Sequence, residues 1–184
     1  MPNITRVGIG FDVHRLVQGR PLILAGVKIE FAKGLLGHSD GDVILHAVAE
    51  AIAGAAGLPD IGQMFPDNLA ATEGIDSRII VQRMLREAAD KGFAVINLDA
   101  VVQAERPKIA DYKPQMRQSL ARLLKVHIEA VNLKGRTAEG LGDIGRNEAI
   151  ACTAIVGLGS MSPNRDRQGA DSPLRGDDTL NQLV

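Results

Sequence analysis

Cysteine and large aromatic residues are scarce in this chain. Among its 184 residues there is one cysteine, Cys152, and no tryptophan, with one tyrosine and four phenylalanines. A single cysteine excludes an intrachain disulfide framework and a cysteine-rich zinc site, and it is typical of a reducing compartment. So few aromatic rings leave little for stacking against nucleic-acid bases. A small aliphatic core also favours stabilisation by oligomerisation.

Long apolar runs and an excess of one charge are missing too. No stretch approaches the roughly 20 apolar residues of a membrane span. Asp12, His14 and Arg15 lie where the apolar core of a signal peptide would be, so we expect a cytoplasmic protein. The formal net charge is -1 without a basic block, which argues against duplex nucleic acid as a partner. An anionic ligand must then be held by a few placed cations, backbone N–H groups or a metal.

What the sequence does contain predicts one domain followed by a tail. Apolar residues make up 45% and charged residues 23% of the chain, as in ordinary globular proteins, and the length suits a single domain. After Met161 the chain is polar, with two prolines, two glycines and no hydrophobic periodicity. We expect a domain at residues 1–160 and a disordered tail at residues 161–184. Binding of a partner is the alternative role for this tail.

The apolar pattern predicts strands and helices in alternation. Strands are predicted at residues 7–11, 94–102, 131–133 and 150–158, with a hairpin at residues 22–29 and loops at residues 34–41 and 58–72. Helices are predicted at residues 42–56 and 77–91 and from Pro114 onward. Ser39 or Asp40 is the expected N-cap of the first helix. The first strand is expected to end near a functional loop, and the last to be central with both faces covered.

Three residues in the first quarter of the chain suggest a metal site. Asp12 and His14 form an Asp-x-His pair, and alternation along an extended segment sends both side chains to the same side. His46, on the first predicted helix, can add a third ligand. Two imidazoles, one carboxylate and an open position describe a catalytic site for Zn2+ or a similar cation. From these residues alone, the alternative is that His46 packs in a helix interface and Asp12 caps a turn.

Four polar loops can serve a ligand, at residues 37–42, 60–67, 106–108 and 134–148. The first precedes a helix N-terminus, whose N–H groups attract phosphate; a capping box of Ser39 and Asp42 is the alternative, and it leaves His38 unexplained. In the last loop, arginine forks and a glutamate suit a diphosphate with a cation, although the P-loop pattern is absent. Solvated turns are the alternative for the other two.

Taken together and in order, these segments resemble 2-C-methyl-D-erythritol 2,4-cyclodiphosphate synthases. No single motif is decisive, but so many in register make chance agreement improbable. The resemblance covers residues 6 to 158. The matching pieces are GFDVH at residues 10–14, HSDGDVILHA at 38–47, DIGQMFPD at 60–67, DSR at 76–78, PK at 107–108, PQMR at 114–117, VNLK at 131–134, TAEGLG at 137–142 and GRNEAIAC at 145–152.

The resemblance implies an α+β fold, in which a compact single domain packs helices on one face of a mixed β-sheet and assembles as a homotrimer with active sites between subunits. It also implies a lyase reaction of the non-mevalonate isoprenoid pathway. In 4-diphosphocytidyl-2-C-methyl-D-erythritol 2-phosphate, the 2-phosphate attacks the β-phosphorus, CMP leaves, and 2-C-methyl-D-erythritol 2,4-cyclodiphosphate forms. Because the substrate carries both nucleophile and electrophile, the protein needs only to fold it for in-line attack and to neutralise the phosphoryl oxygens.

The resemblance also implies roles by position. Zn2+ or another divalent cation is expected at Asp12, His14 and His46, and Mg2+ or Mn2+ at the substrate diphosphate through Glu139. His38 and Thr137 match catalytic residues that position the substrate or stabilise the transition state. Residues 104–110 match the cytidine pocket, and Arg146 matches a phosphate-binding arginine near the trimer axis. The substrate contacts implied are Asp12, Val13, His14, His38, Ser39, Asp60, Ile61, Gly62, Phe65, Pro66, Asp67, Ala104, Pro107, Lys108, Ile109, Ala110, Arg136, Thr137, Glu139, Asp143 and Arg146.

The sequence departs from the family pattern at a few positions without losing a metal ligand. Asp143 and Ile144 replace a common Phe-Thr pair, and Leu69 replaces a common acidic residue. The first departure bears on a hydrophobic central cavity proposed for isoprenoid diphosphates. Two other functions remain as alternatives: a metal-dependent phosphohydrolase with water as nucleophile, and a non-catalytic nucleotide-binding trimer.

Overall fold

The computed structural model describes residues 4–66 and 74–161. The strands are β1 (Ile4–Gln18), β2 (Leu22–Leu24), β3 (Val27–Ile29), β4 (Lys33–Leu35), β5 (Phe93–Gln103), β6 (Val131–Arg136) and β7 (Ala149–Ser160). The α-helices are α1 (Val43–Ala56), α2 (Ile61–Met64), α3 (Ser77–Asp90), α4 (Lys113–Leu124) and α5 (Gly142–Gly145). Within these described ranges, no helix is long and apolar enough to cross a membrane.

A mixed five-stranded sheet forms the centre of the fold, with strand order β4-β1-β7-β5-β6. β5 and β6 run parallel, and the other neighbours are antiparallel. β2 and β3 form the predicted hairpin. Its turn residues Ala25 and Gly26 have φ of 54° and 71°, as a tight two-residue hairpin turn requires. The mixed sheet with its helices confirms the predicted α+β fold.

Two glycines let α1 lie directly on β1. A Cβ at Gly8 would come 2.0 Å from the carbonyl oxygen of Ala51, and one at Gly10 would come 2.0 Å from that of Ala47. Only glycine permits this close approach of strand and helix backbones. Because His46 precedes Ala47 on α1, the same contact places its side chain against β1 just beyond Gly10.

The helices cover one face of the sheet, as predicted. α1 packs on β1 and β7, α3 packs on α1 and β5, and α4 packs on β6. The β7 side chains that point toward the helices, from Cys152 to Leu158 at alternate positions, are buried. Burial raises the pKa of the Cys152 thiol above its usual value, so this cysteine is an inert core residue.

The opposite face of the sheet exposes apolar side chains along β1 and β7. Val7, Ile9 and Phe11 are 64%, 68% and 59% exposed, and Ile155 is 42% exposed. Ile9 lies directly opposite Ile155 in the β1–β7 register, so these side chains form a continuous stripe, the exposed sheet face. A contiguous apolar patch of this kind marks an interaction surface.

The structure corrects the predicted extent of the strands. β1 does not end at Phe11 but continues to Gln18, because β7 pairs with it from Ile4 to Arg15. β4 overlaps the start of the segment predicted as a loop at residues 34–41, since its residues pair with the end of β1, and α2 lies within the second predicted loop. β7 is central as predicted, but the exposure of Ile155 shows that only one of its faces is covered in the single chain.

The N-cap of α1 is Asp42 rather than Ser39 or Asp40. One carboxylate oxygen of Asp42 accepts from the N–H groups of Ile44 and Leu45, each at 3.1 Å. Ser39 Oγ instead accepts from the N–H of Gly41 at 3.0 Å, so the capping box is absent. The predicted disordered tail, apart from Met161, lies outside the described residues.

Candidate active site

Asp12, His14 and His46 converge at one end of the sheet. Asp12 Oδ2 lies 2.9 Å from His14 Nε2 and 2.9 Å from His46 Nδ1, and the two nitrogens are 3.1 Å apart. Alternation along β1 turns the first two side chains the same way, and α1 supplies the third. We call these three residues the Asp-His-His cluster.

The dimensions of the Asp-His-His cluster fit a divalent metal ion. A tetrahedral ion with bonds of about 2.0–2.1 Å separates its ligand atoms by roughly 3.3 Å, close to the separations found. Two imidazole nitrogens and one carboxylate oxygen are also the donor set of catalytic zinc sites that keep a fourth position open. The cluster can therefore hold a metal ion.

Hydrogen bonds behind the imidazoles aim their lone pairs at the cluster. His14 Nδ1 lies 2.6 Å from the carbonyl oxygen of Leu36. Because a carbonyl can only accept, Nδ1 carries the proton and Nε2 is free to ligate. On His46, Nδ1 faces the cluster and Nε2 lies 2.9 Å from Ser39 Oγ and 3.0 Å from Ser77 Oγ.

The cluster holds an ionised carboxylate. Burial acts to raise the pKa of Asp12, but hydrogen bonds from His14 and His46 and their positive charge outweigh it and hold that pKa well below its usual value. Burial acts to lower the pKa of His14, and the hydrogen bond and charge of Asp12 outweigh it, so that pKa is raised. The negative charge of Asp12 thus attracts a cation, whether a proton or a metal ion.

A cleft of about 240 Å3 opens beside the cluster. His38, Ser39 and Glu50 bring polar groups to its wall, and Ile61 and Phe65 contribute apolar surface. Four of these five were predicted substrate contacts, and Glu50 was not. The cleft has room for a phosphate group beside the open side of the cluster.

The short helix α2 borders this cleft and is tied to α1. Asp60 caps it by accepting from the Gln63 N–H at 2.8 Å, and Glu50 of α1 accepts from the Ile61 N–H at 2.9 Å. These bonds hold the predicted contact segment from Asp60 to Pro66 beside the cluster. The predicted contact at Asp67 lies outside the described residues.

The second set of predicted residues lies across the sheet from the cluster. Asp12 pairs with Cys152 on β7, Cys152 pairs with Val102 on β5, and the neighbouring residue of β5 pairs with Arg136 on β6. Three strand spacings of about 4.8 Å separate β1 from β6 by roughly 14 Å. Thr137 and Glu139 follow β6, so one chain does not bring them to the Asp-His-His cluster.

These residues gather instead into a separate exposed group. The Ala104 N–H donates to the Arg136 carbonyl oxygen at 2.9 Å, which places the predicted cytidine-pocket segment beside the end of β6. Thr137 Oγ1 donates to Glu139 Oε1 at 2.5 Å. Lys108, Arg136, Thr137 and Glu139 are all exposed. We call residues 104–110 and 136–139 together the β6 loop group.

Arg146, the predicted phosphate ligand, is paired with acidic neighbours. Its guanidinium contacts the carboxylate of Asp143, and its Nε lies 3.3 Å from Glu148 Oε2. All three side chains are more than half exposed. In this chain, Asp143 and Glu148 therefore offset the positive charge of Arg146.

Sequence reasoning missed the residues that hold the metal ligands in place. The Leu36 carbonyl and Ser77 received no role at the metal site, Asp40 was considered only as a helix N-cap, and Glu50 was not considered. The DSR match at residues 76–78 was the available signal for Ser77. A sequence motif does not show, however, that the Ser77 hydroxyl contacts the His46 imidazole. That contact joins residues 31 positions apart.

The fold and the site together define a class. This is an α+β protein with a two-histidine, one-carboxylate cluster open to a cleft sized for a small anionic ligand. Within that class, the chain belongs to the YgbB family, whose model matches residues 5–159.

Similar proteins include a named synthase and two solved structures. The 2-C-methyl-D-erythritol 2,4-cyclodiphosphate synthase of Carboxydothermus hydrogenoformans is 48% identical over 159 residues, which is 86% of this chain and 98% of that protein. Bifunctional IspDF from Campylobacter jejuni has a TM-score of 0.82 at 40% identity, over 85% of this chain and 42% of that one. IspF of Plasmodium falciparum in a CDP complex has a TM-score of 0.75 at 33% identity, over 85% and 97%.

Proposed function

We propose that this chain is a metal-dependent 2-C-methyl-D-erythritol 2,4-cyclodiphosphate synthase of isoprenoid precursor biosynthesis. The observation that carries the proposal is the Asp-His-His cluster, whose three ligand atoms lie 2.9–3.1 Å apart beside an open cleft. Membership of the YgbB family and close relatives with this name support the same reaction. Its substrate is 4-diphosphocytidyl-2-C-methyl-D-erythritol 2-phosphate.

The reaction needs no nucleophile from the protein. An oxygen of the 2-phosphate forms a bond to the β-phosphorus, the bond from that phosphorus to the bridging oxygen breaks, and CMP leaves with the electron pair. Metal ions, when bound, supply Lewis-acid stabilisation of the phosphoryl oxygens. Asp12, His14 and His46 hold one of them, and His38 and Ser39 on the cleft wall orient the phosphate.

The β6 loop group serves the other end of the substrate. Glu139 holds the second cation, Mg2+ or Mn2+, at the diphosphate, and the Thr137 hydroxyl donates to an oxygen on which charge grows as CMP leaves. Residues 104–110 contact the cytidine, and the CDP complex of a relative 33% identical to this chain supports a cytidine diphosphate site. The exposed side chains of Lys108, Thr137 and Glu139 are free to meet a substrate.

The Asp-His-His cluster and the β6 loop group are the two halves of the proposed site. They act on one diphosphate only if neighbouring subunits share the site. Within one chain they are about 14 Å apart, which is too far for two groups that must touch the same diphosphate. The exposed sheet face supplies an apolar surface for assembly. The proposed assembly is a closed homotrimer, because a ring lets each subunit give one half of a site to its neighbour.

The deciding experiment follows the reaction by phosphorus NMR. The purified chain with Zn2+ and Mg2+ is incubated with the nucleotide-linked substrate. Equimolar CMP and cyclic diphosphate are the expected products. A linear product would identify a phosphohydrolase, and binding without turnover would identify a nucleotide-binding protein.

Two further expectations from the sequence, a disordered tail at residues 161–184 and a cytoplasmic location, stay predictions.

A further inference from the structure

The two histidines of the Asp-His-His cluster are supported by different kinds of group. Behind His14 stands a backbone carbonyl, which can only accept a hydrogen bond. Behind His46 stand two serine hydroxyls, from Ser39 and Ser77. A hydroxyl can donate or accept, so by itself it does not determine which nitrogen of His46 carries the proton.

Asp40 removes that ambiguity for Ser77. Ser77 Oγ lies 2.5 Å from Asp40 Oδ1, and an ionised carboxylate only accepts. Ser39 Oγ is the other acceptor in reach, at 3.4 Å, but the carboxylate is closer and charged, so the single proton of Ser77 goes to Asp40. Ser77 Oγ can then only accept from His46. The Ser77 N–H also donates to Asp40 Oδ2 at 3.2 Å, so both ends of the carboxylate are held by one residue.

Ser39 does not determine which nitrogen of His46 carries the proton. Its Oγ accepts from the Gly41 N–H at 3.0 Å, and its own proton is free to point toward Nε2 of His46. Ser39 is thus compatible with either tautomer. Ser77 is compatible only with the tautomer that carries its proton on Nε2 and presents the Nδ1 lone pair to the cluster.

We propose that Ser77, held by Asp40, is a positioning residue that fixes the metal-binding tautomer of His46. The chain of contacts runs from the Asp40 carboxylate to the Ser77 hydroxyl, to the His46 imidazole, to the metal. It replaces the direct carboxylate–histidine contact of many zinc sites with one relay through a hydroxyl. Burial favours the relay, because Ser77 is fully buried and water cannot compete for its hydrogen bonds.

The location of Ser77 makes its geometry rigid. It is the first residue of α3, and Asp76 caps that helix by accepting from the Arg78 N–H at 2.9 Å. The Asp40 N–H donates to the Ile75 carbonyl oxygen at 3.1 Å. These bonds hold the loop of Asp40 beside the start of α3, so the Asp40 carboxylate stays within reach of the Ser77 hydroxyl.

The proposal rests on metal binding at the Asp-His-His cluster, and its test measures that binding without activity. Zinc affinity is measured by competition with a chelator in Ser77→Ala, Ser77→Thr and the wild type. Ser77→Ala should bind zinc 10- to 100-fold more weakly, the scale for losing an outer-shell partner. Ser77→Thr keeps the hydroxyl and should recover most of the affinity. Ser119→Ala, which removes a hydroxyl from α4, is the matched control and should match the wild type.

Nitrogen-15 NMR of histidine-labelled, zinc-loaded protein gives a readout that a purely structural role would not move. Without metal, Asp12 also contacts Nδ1 of His46, so the zinc-loaded form isolates the bond from Nε2 to Ser77. The wild type should show a slowly exchanging His46 Nε2 proton, and Ser77→Ala should show faster exchange. Asp40→Asn frees the Ser77 proton without removing the hydroxyl and should change the exchange in the same direction. Wild-type zinc affinity and an unchanged His46 Nε2 proton in both variants would overturn the proposal. A wild type that binds no zinc would instead overturn the proposed function.

Discussion

The two halves of the proposed site differ in how they are built. The Asp-His-His cluster is partly buried, and each of its two imidazoles is oriented by a hydrogen bond to a backbone carbonyl or a hydroxyl behind it. The β6 loop group is exposed, and its Thr137 and Glu139 bond to each other. One half is therefore pre-organised within a single chain, whereas the other has polar groups whose present partners a substrate can replace.

This difference assigns separate tasks to the two halves. A buried, pre-aimed cluster is suited to holding an ion permanently, because no reorganisation is needed when the ion binds. Exposed groups that bond to one another are suited to a ligand that arrives and departs. Substitutions that affect one half and spare the other can test this division.

Removing the cluster should have the largest effect. The double variant His14→Ala and His46→Ala loses both imidazole ligands, so elemental analysis should find no bound zinc. Turnover should fall by at least about three orders of magnitude, because a Lewis acid contributes several kcal/mol to charge stabilisation. His127→Ala, on the short helical turn before β6, should keep both zinc and activity. Stoichiometric zinc in the double variant would contradict the ligand assignment.

Disrupting the proposed subunit interface, and so separating the two halves of the site, should have the second-largest effect. Ile9→Asp places a charge in the exposed sheet face, and burying an unpaired carboxylate in an interface is strongly unfavourable. Light scattering should fall from about three chain masses to one, and activity should drop by roughly 100-fold or more as shared sites are lost.

The matched control for this interface is Ile79→Asp. Ile79 is also an exposed apolar residue, 46% exposed, but it lies on α3 rather than on the exposed sheet face. This variant should keep the wild-type mass and activity. An active Ile9→Asp monomer would show that one chain holds a complete site.

A change confined to the β6 loop group should have a smaller effect. Thr137→Ala removes one donor to the phosphoryl oxygens and should lower kcat by about one to three orders of magnitude, with zinc still bound. Thr137→Ser keeps the hydroxyl and should restore most of the rate. If Thr137 only satisfies its own loop, kcat should stay unchanged while the melting temperature falls, and steady-state kinetics with a melting curve separates the two.

Removal of residues 162–184 should have the smallest effect on either half. The family match ends at residue 159, and the Met161 N–H that donates to the Gly92 carbonyl oxygen at 2.8 Å is kept. Mass, zinc content and kcat should equal those of the full chain. A change in any of them would assign the tail a role in assembly or catalysis.

The site was predicted from sequence where short motifs carry the chemistry. Asp12 and His14 share one strand, and period-two alternation alone puts them on one side. His46 was a candidate third ligand from its residue type, with packing in a helix interface as the alternative, because its approach to β1 depends on Gly8 and Gly10 allowing α1 onto that strand. Ser77 and Asp40 were not assigned, since their contacts with His46 form only when α3 docks beside the loop before α1.

The amino-acid pattern by itself predicted most strands, the long helices and the residue types of a metal site. Local periodicity, turn residues and ligand chemistry act over a few residues and can be read in order along the chain. Only the tertiary structure decided the length of β1 and the distance between the two halves of the site. Those depend on pairing and packing between segments far apart in the chain, where one register places Asp12 beside His46 and leaves Thr137 three strands away.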